Sequence, residues 1–266
     1  MWNTKLSDRF RLASRVARFT SGTLDQLAKL EFARLGKAVP DANALVAQHR
    51  SRWARRMLEV FAIEARAHGP WLDKGLVYPG TDDRGTGRVF FFNHRSGMDI
   101  VLSLAFFAGT MVSRADLAHW PIIGLAARRV GTLFVDRASA KSGATVINGM
   151  ARALERGQAI CIYPEGTAFA GDEVRPLRAG AFRAAQKAGA ELVPVGLAYE
   201  DPATAYGDES FTAHMERVAA MPRIVAALEV GEPLSPLGTV DDLQARGHAA
   251  LQLCVTRARA RLTSGG

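Results

Sequence analysis

Val89-Phe90-Phe91-Phe92-Asn93-His94-Arg95-Ser96-Gly97-Met98-Asp99 decides how this chain folds. Four consecutive apolar residues stop abruptly at an amide and an imidazole. Such a short run suits a strand covered on both faces, as in a parallel sheet. Ser96 and Asp99 then have the spacing of a helix start, with Ser96 as N-cap and an acid in the first turn. The unit is therefore strand, turn, helix. It places His94 at a strand end with a carboxylate five positions on. Imidazole can take a proton from a hydroxyl near neutral pH, and a neighbouring carboxylate can fix its tautomer and stabilise the charged ring. This is the wiring of a general base without a protein nucleophile. The plainer alternative is a capping box, with His94 bonded to a backbone carbonyl.

Working outward, strand-like and helix-like stretches alternate from Gly75 onward. Residues 76–78, 89–92, 110–113, 132–135, 159–163, 192–198 and 224–230 read as strands. Residues 99–107, 120–130, 140–156 and 179–188 read as helices, and 246–262 as a closing helix. Alternation of this kind needs crossover connections, so the fold class is α/β with a mainly parallel central sheet flanked by helices. The first 70 residues lack β-rich runs and form an N-terminal helical segment. It breaks near Pro40-Asp41, resumes at Asn43, runs to about His68, and ends at Gly69-Pro70.

A second constellation follows the strand at 159–163: Tyr163-Pro164-Glu165-Gly166-Thr167. In a parallel sheet, ligands bind outside the carboxyl ends of the strands. Glycine lets a backbone approach a ligand closely. Taken singly, Glu165 reads as a solvated loop acid and Gly166 as a turn. Cys161 lies among apolar neighbours that disfavour a thiolate, so it reads as a small core side chain.

In order along the chain, these segments resemble the glycerolipid acyltransferases, the family typified by 1-acylglycerol-3-phosphate acyltransferase. Its first block, a His and an Asp separated by four residues, is matched by His94 and Asp99. Gly131-Thr132-Leu133-Phe134-Val135-Asp136-Arg137 matches its Gly-x-x-Phe-x-x-Arg block. Tyr163 to Thr167 matches its aromatic-Pro-Glu-Gly-Thr run, and Val193-Pro194-Val195 its Val-Pro-Val strand. Arg114 stands where the family usually has a lysine, and Trp120-Pro121-Ile122-Ile123-Gly124 fits the pattern that follows it. The match runs from about residue 75 to 199, close to half the chain.

The resemblance implies transfer of an acyl group from acyl-CoA or acyl-carrier protein to the hydroxyl of a lysolipid, with no cofactor and no metal. His94 would be the base and Asp99 its orienting acid. Arg114 and Arg137 would bind headgroup or donor phosphates, and Glu165, Gly166 and Thr167 would complete the substrate site. Backbone N–H groups near Gly166 or at the helix start after Ser96 are candidate oxyanion donors. Residues 1–70 would contact the membrane and 71–266 would form the acyltransferase domain. One departure bears on the acceptor. Family members acting on phosphate-bearing acceptors commonly carry Arg directly after Glu-Gly-Thr, and this chain has Ala168. Arg175, Arg178 or Arg137 is left to supply that charge. The family's lyso-ornithine-lipid branch, whose acceptor carries no phosphate, is compatible.

The chain has 266 residues, 48% of them hydrophobic, enough for one sizeable domain with an appended segment. Two distant cysteines, Cys161 and Cys254, argue against a disulfide framework and fit a reducing compartment. A net charge of +8 favours anionic partners. Zinc-finger, helix-turn-helix and ribonucleoprotein patterns are absent, so a nucleic-acid partner is not expected. An anionic bilayer, CoA phosphates or an acidic carrier protein fits the charge. No run approaches the ~18 apolar residues of a membrane span, and the start lacks the features of a secretory leader. Leu6, Phe10, Ala13 and Ala17 recur at helical spacing among Lys5, Arg9, Arg11, Arg15 and Arg18. That pattern fits a basic amphipathic helix lying in the headgroup plane, or one docked on the domain. The expected location is cytoplasmic and peripheral on the cytoplasmic face of the membrane. A non-catalytic lipid-binding protein and a thioester hydrolase are the competing readings.

Overall fold

The computed structural model describes residues 6–35, 39–135 and 140–263. Two long helices lead, α1 (Leu6–Arg34) and α2 (Val39–Val60). The sheet comprises β1 (Ile63–His68), β2 (Val89–Phe92), β3 (Gly109–Arg114), β4 (Leu133–Val135), β5 (Ala159–Ile162), β6 (Leu192–Tyr199) and β7 (Ile224–Val230). The remaining helices are α3 (Asp99–Phe106), α4 (Ile123–Arg129), α5 (Ala140–Glu155), α6 (Gly180–Ala188), α7 (Phe211–Ala220) and α8 (Val240–Thr263). Strand order is β1-β7-β6-β2-β5-β3-β4. Every pairing is parallel except β6 with β7.

The aromatic run of β2 shows why the sheet is covered on both sides. Successive side chains point to opposite faces. Phe90 and Phe92 enter a core shared with α2, α3 and α7, through Met57, Leu102 and Val218. Val89 and Phe91 enter a second core with α5, α6 and α8, through Leu154, Phe182 and Leu251. On that second face α8 lies so close to β6 that a Cβ at Gly196 would overlap the backbone of Cys254 and Val255. Only glycine permits that approach.

Three sequence expectations are corrected. Residues 63–68 are strand β1, paired with β7, and not the end of a helix. Glu, Ala and Arg favour helix, but pairing along β7 outweighs that preference. The turn out of α2 passes through Ala62 at φ 51°, so the usual glycine stop signal is missing. Residues 76–78 make only an isolated bridge, Tyr78 to Phe107. Helix α7 was not foreseen, and the closing helix starts earlier than expected, at Val240.

The parallel order places the functional segments together. The neighbours β5, β2 and β6 end at one sheet edge, with Ile162, Phe92 and Tyr199 as their last residues. The polar residues that follow β2 and β5 therefore emerge side by side.

Candidate active site

Asn93 extends the β2–β6 ladder beyond its last backbone pair. Its Nδ2 donates to Leu197 O at 2.8 Å, and its Oδ1 accepts from Leu197 N at 2.7 Å. This two-point clamp aims the next residue, His94. The imidazole stacks on Tyr163 with ring centroids 4.3 Å apart. Nδ1 lies 2.7 Å from Asp99 Oδ2. Asp99 is fully buried, and its Oδ2 also accepts from the N–H groups of Arg95 (2.6 Å) and Ser96 (2.9 Å). Tyr199 Oη donates to Oδ1 at 2.6 Å. A carboxylate so used is an acceptor only, so Nδ1 carries the proton and Nε2 the lone pair. The plainer reading holds only in part: Asp99 reaches back to the Ser96 N–H as a capping acid does, but the helix begins at Asp99 after Met98 and the ring bonds the Asp99 carboxylate, not a backbone carbonyl.

Behind the ring, Glu165 is buried at 5% exposure. It accepts from His94 N (2.6 Å) and Arg175 N (2.8 Å) and pairs with Arg95 at 3.0 Å. Arg95 Nη2 continues to the carbonyl of Glu173 at 2.8 Å. Buried charges persist when paired and hydrogen-bonded in this way. The bridge ties the loop after β2 to the loop after β5.

His94 lines a cavity of about 810 Å³ that also reaches Gly166, Thr167, Ala168 and Arg178. Its wall is largely apolar, with Leu104, Met111, Ile123, Phe134 and Ile162 among the contributors. At its far part, level with the start of β3, Arg50 donates to Thr110 Oγ1 at 3.1 Å. Burial lowers the pKa of that guanidinium. Burial also raises the Cys161 thiol to about 12, which leaves it protonated and without nucleophilic character.

A family model described as Acyltransferase matches residues 80–198. The lyso-ornithine lipid O-acyltransferase of Pseudomonas aeruginosa is 27% identical over 239 residues, covering 86% of this chain and 87% of that protein. The 1-acyl-sn-glycerol-3-phosphate acyltransferase of Neisseria meningitidis is 26% identical over 165 residues, 59% of this chain and 65% of that one. By these likenesses the chain is an acyltransferase enzyme. The crystal structure of the 1-acyl-sn-glycerophosphate acyltransferase of Thermotoga maritima shares its fold, with a TM-score of 0.70 at 17% identity over 95% of this chain and 96% of that one.

Within this acyltransferase, His94, Asp99, Gly166 and Thr167 are brought together at the sheet edge, with His94, Gly166 and Thr167 on the cavity wall. Glu165 sits behind the wall as a brace and is not a solvated acid. Arg114 is the last residue of β3. Arg137 lies outside the described residues. At the helix start after Ser96, the N–H groups of residues 96–99 are already bonded. Their acceptors are Asp99, His214 Nε2, Ser96 Oγ and Ser96 O, in order from Ser96 to Asp99.

Sequence reasoning passed over Tyr199 and His214, which lie 100 and 118 residues from their partners Asp99 and Ser96. No local pattern marks such contacts. His214 is fully buried, stacked on Tyr206, and accepts the Gly97 N–H at 3.0 Å. Nε2 is therefore the acceptor, and Nδ1 donates to Glu209 at 3.1 Å. Burial lowers the His214 pKa from 6.5, against the opposing pull of Glu209. Arg217 chiefly holds the Glu209 carboxyl down to about 2. A histidine depressed in the folded state contributes stability that is present above its unfolded value and lost as pH falls through the folded value. We expect the melting temperature to drop as pH falls below about 6.5, the ordinary histidine value, and to drop less in His214→Gln, whose amide oxygen can still accept from Gly97. Parallel pH profiles for the two proteins would refute this.

Proposed function

We propose that this acyltransferase moves a fatty acyl group from a thioester, acyl-CoA or acyl-carrier protein, to the hydroxyl of a lysolipid. The observation that carries the reading is the His94–Asp99 pair, with Nε2 free of protein partners among the described residues, on the wall of a large apolar cavity. Nε2 takes the acceptor's hydroxyl proton as its oxygen attacks the thioester carbonyl. Asp99 stabilises the imidazolium. The tetrahedral intermediate then collapses, the C–S bond breaks, and the imidazolium returns its proton to the thiolate. Base assistance of this kind is worth about 10²–10⁴-fold. Thr167 N–H, at the cavity wall without a protein acceptor among the described residues, is the donor at hand for the oxyanion. The apolar cavity suits an acyl chain.

The acceptor is a lysolipid of the lyso-ornithine-lipid or 1-acylglycerol-3-phosphate kind, the substrates in the names of the relatives. Access to a bilayer comes through α1. Leu6 is 84% exposed, Phe10 77% and Phe32 78%, forming apolar surface suited to the headgroup boundary. Another face docks: Arg11 and Arg15 donate to the carbonyls of Ala220 and Ala219, the last residues of α7. Among the described residues no helix is long and apolar enough to cross a membrane. The protein then sits peripherally on the cytoplasmic face, with its basic surface towards anionic lipid.

The test is transfer from a labelled acyl thioester to a panel of lysolipids presented in vesicles, with ester product resolved from free fatty acid. Ester formed only when a lysolipid is present supports the proposal. Free fatty acid released at the same rate with and without acceptor makes the protein a thioester hydrolase instead.

A further inference from the structure

The cavity beside His94 needs a cation for an anionic acceptor, and the turn itself supplies none. Gly166, Thr167 and Ala168 all line the cavity and all are uncharged. Two described arginines reach the cavity wall, Arg50 and Arg178. Arg50 is buried at 6% exposure and donates to Thr110 Oγ1, level with the start of β3 and away from the catalytic edge. Arg175 faces elsewhere: it pairs with Glu173 at 3.4 Å and lies over the Phe169 ring.

Arg178 is held in place at the turn. Its backbone N–H donates to Pro164 O at 2.8 Å, which fastens its loop to the Tyr163–Gly166 turn. Its guanidinium occupies the space above Gly166. A Cβ there would overlap Nε and sit 2.8 Å from Cζ and 3.0 Å from Nη2. Gly166 also has φ +87°, so glycine serves twice: it takes the left-handed backbone and leaves room for the cation. Among the described residues no carboxylate or carbonyl accepts a hydrogen bond from this guanidinium, and its side chain is exposed. A planar fork beside a reaction centre, with no protein acceptor among the described residues, is suited to an oxyanion.

We propose that Arg178 binds the acceptor's headgroup oxyanion, a carboxylate or a phosphate, and so sets the preference of this acyltransferase for anionic lysolipids. This rests on the acyl-transfer reading above. The residue positions the acceptor and takes no part in proton transfer, so its loss falls on acceptor binding and not on the base.

The experiment compares wild-type protein with Arg178→Gln, Arg178→Lys and, as a surface control, Arg183→Gln. Three acceptors are used, bearing a carboxylate (lyso-ornithine lipid), a phosphate (1-acylglycerol-3-phosphate) and no charge (monoacylglycerol). Both acceptor binding in detergent micelles and steady-state kinetics are read. In Arg178→Gln, Kd and KM for the acceptor whose oxyanion the guanidinium holds rise about tenfold or more, as expected for losing a charge-assisted pair. The anionic-to-neutral ratio of kcat/KM collapses by a similar factor. Lysine, which keeps charge without the fork, recovers part of it. The carboxylate and phosphate arms identify which oxyanion is the partner. Unchanged acceptor KM and Kd in Arg178→Gln overturn the proposal while leaving acyl transfer standing, as does a rise confined to the thioester's KM. Weakened anionic-lysolipid binding in a protein that transfers no acyl group leaves Arg178 as the anion contact and removes the acyl-transfer reading.

Discussion

Replacing His94 by alanine lowers acyl transfer about 10³-fold while the protein stays folded. The loss follows from the proposed base. Without the imidazole, no group within hydrogen-bonding distance of Asp99 can take a hydroxyl proton, because Tyr199 is a neutral phenol whose pKa burial raises well above its usual value. The fold survives because Asp99 keeps three of its four donors, the Arg95 and Ser96 N–H groups and the Tyr199 hydroxyl. What disappears is one ring stacked on Tyr163 and one hydrogen bond, about 1–2 kcal/mol together. The measurements are ester formation from labelled thioester and thermal melting. A normally melting His94→Ala protein that transfers acyl groups within tenfold of wild type would end the base assignment.

Asp99 separates structure from chemistry. Asp99→Ala leaves the Arg95 and Ser96 N–H groups and the Tyr199 hydroxyl buried and unpaired. At about 1–3 kcal/mol each, the sum is ~3 kcal/mol or more, a large share of a typical domain's stability. We expect a melting temperature several degrees lower and little soluble enzyme. Asp99→Asn behaves differently. Its carbonyl oxygen can stand where Oδ2 stood and accept from Arg95 N, Ser96 N and His94 Nδ1. Its amide then faces Tyr199 Oη, which can accept as well as donate. The fold is kept, but the charge that stabilises the imidazolium is gone, and transfer falls about 10²–10⁴-fold. Equal melting and equal rates for wild type and Asp99→Asn would show that the carboxylate charge does no chemical work.

Much of the site is legible in the chain because its parts are local. His94 and Asp99 are five residues apart across a strand-to-helix turn, so any fold that keeps the strand and helix keeps the pair. Gly166 and Thr167 follow β5 directly, and the parallel pairing of β2 with β5 places them beside the histidine. Glu165 is less legible. A loop acid with a proline before it and a glycine after it reads as solvated, and only the backbone of His94 and the guanidinium of Arg95 reveal a buried brace. Strand β1 was hidden for another reason. Ile63-Glu64-Ala65-Arg66-Ala67-His68 does alternate apolar and polar residues, but its helix-forming content and the missing glycine at Ala62 outweigh that signal until β7 is alongside.

The amino-acid sequence by itself determined the α/β class, the strand-turn-helix unit around His94, and the glycine turn after β5. Each depends on periodicity or on contacts within about ten residues, which the order of side chains dictates directly. Tertiary structure decided which distant groups close around that unit: Tyr199 on Asp99, His214 on Gly97, and Arg178, not Arg175, over Gly166. Those contacts are set by strand order and by the angle at which each loop leaves the sheet. Both are outcomes of packing two apolar faces at once, and no short stretch of the chain carries them.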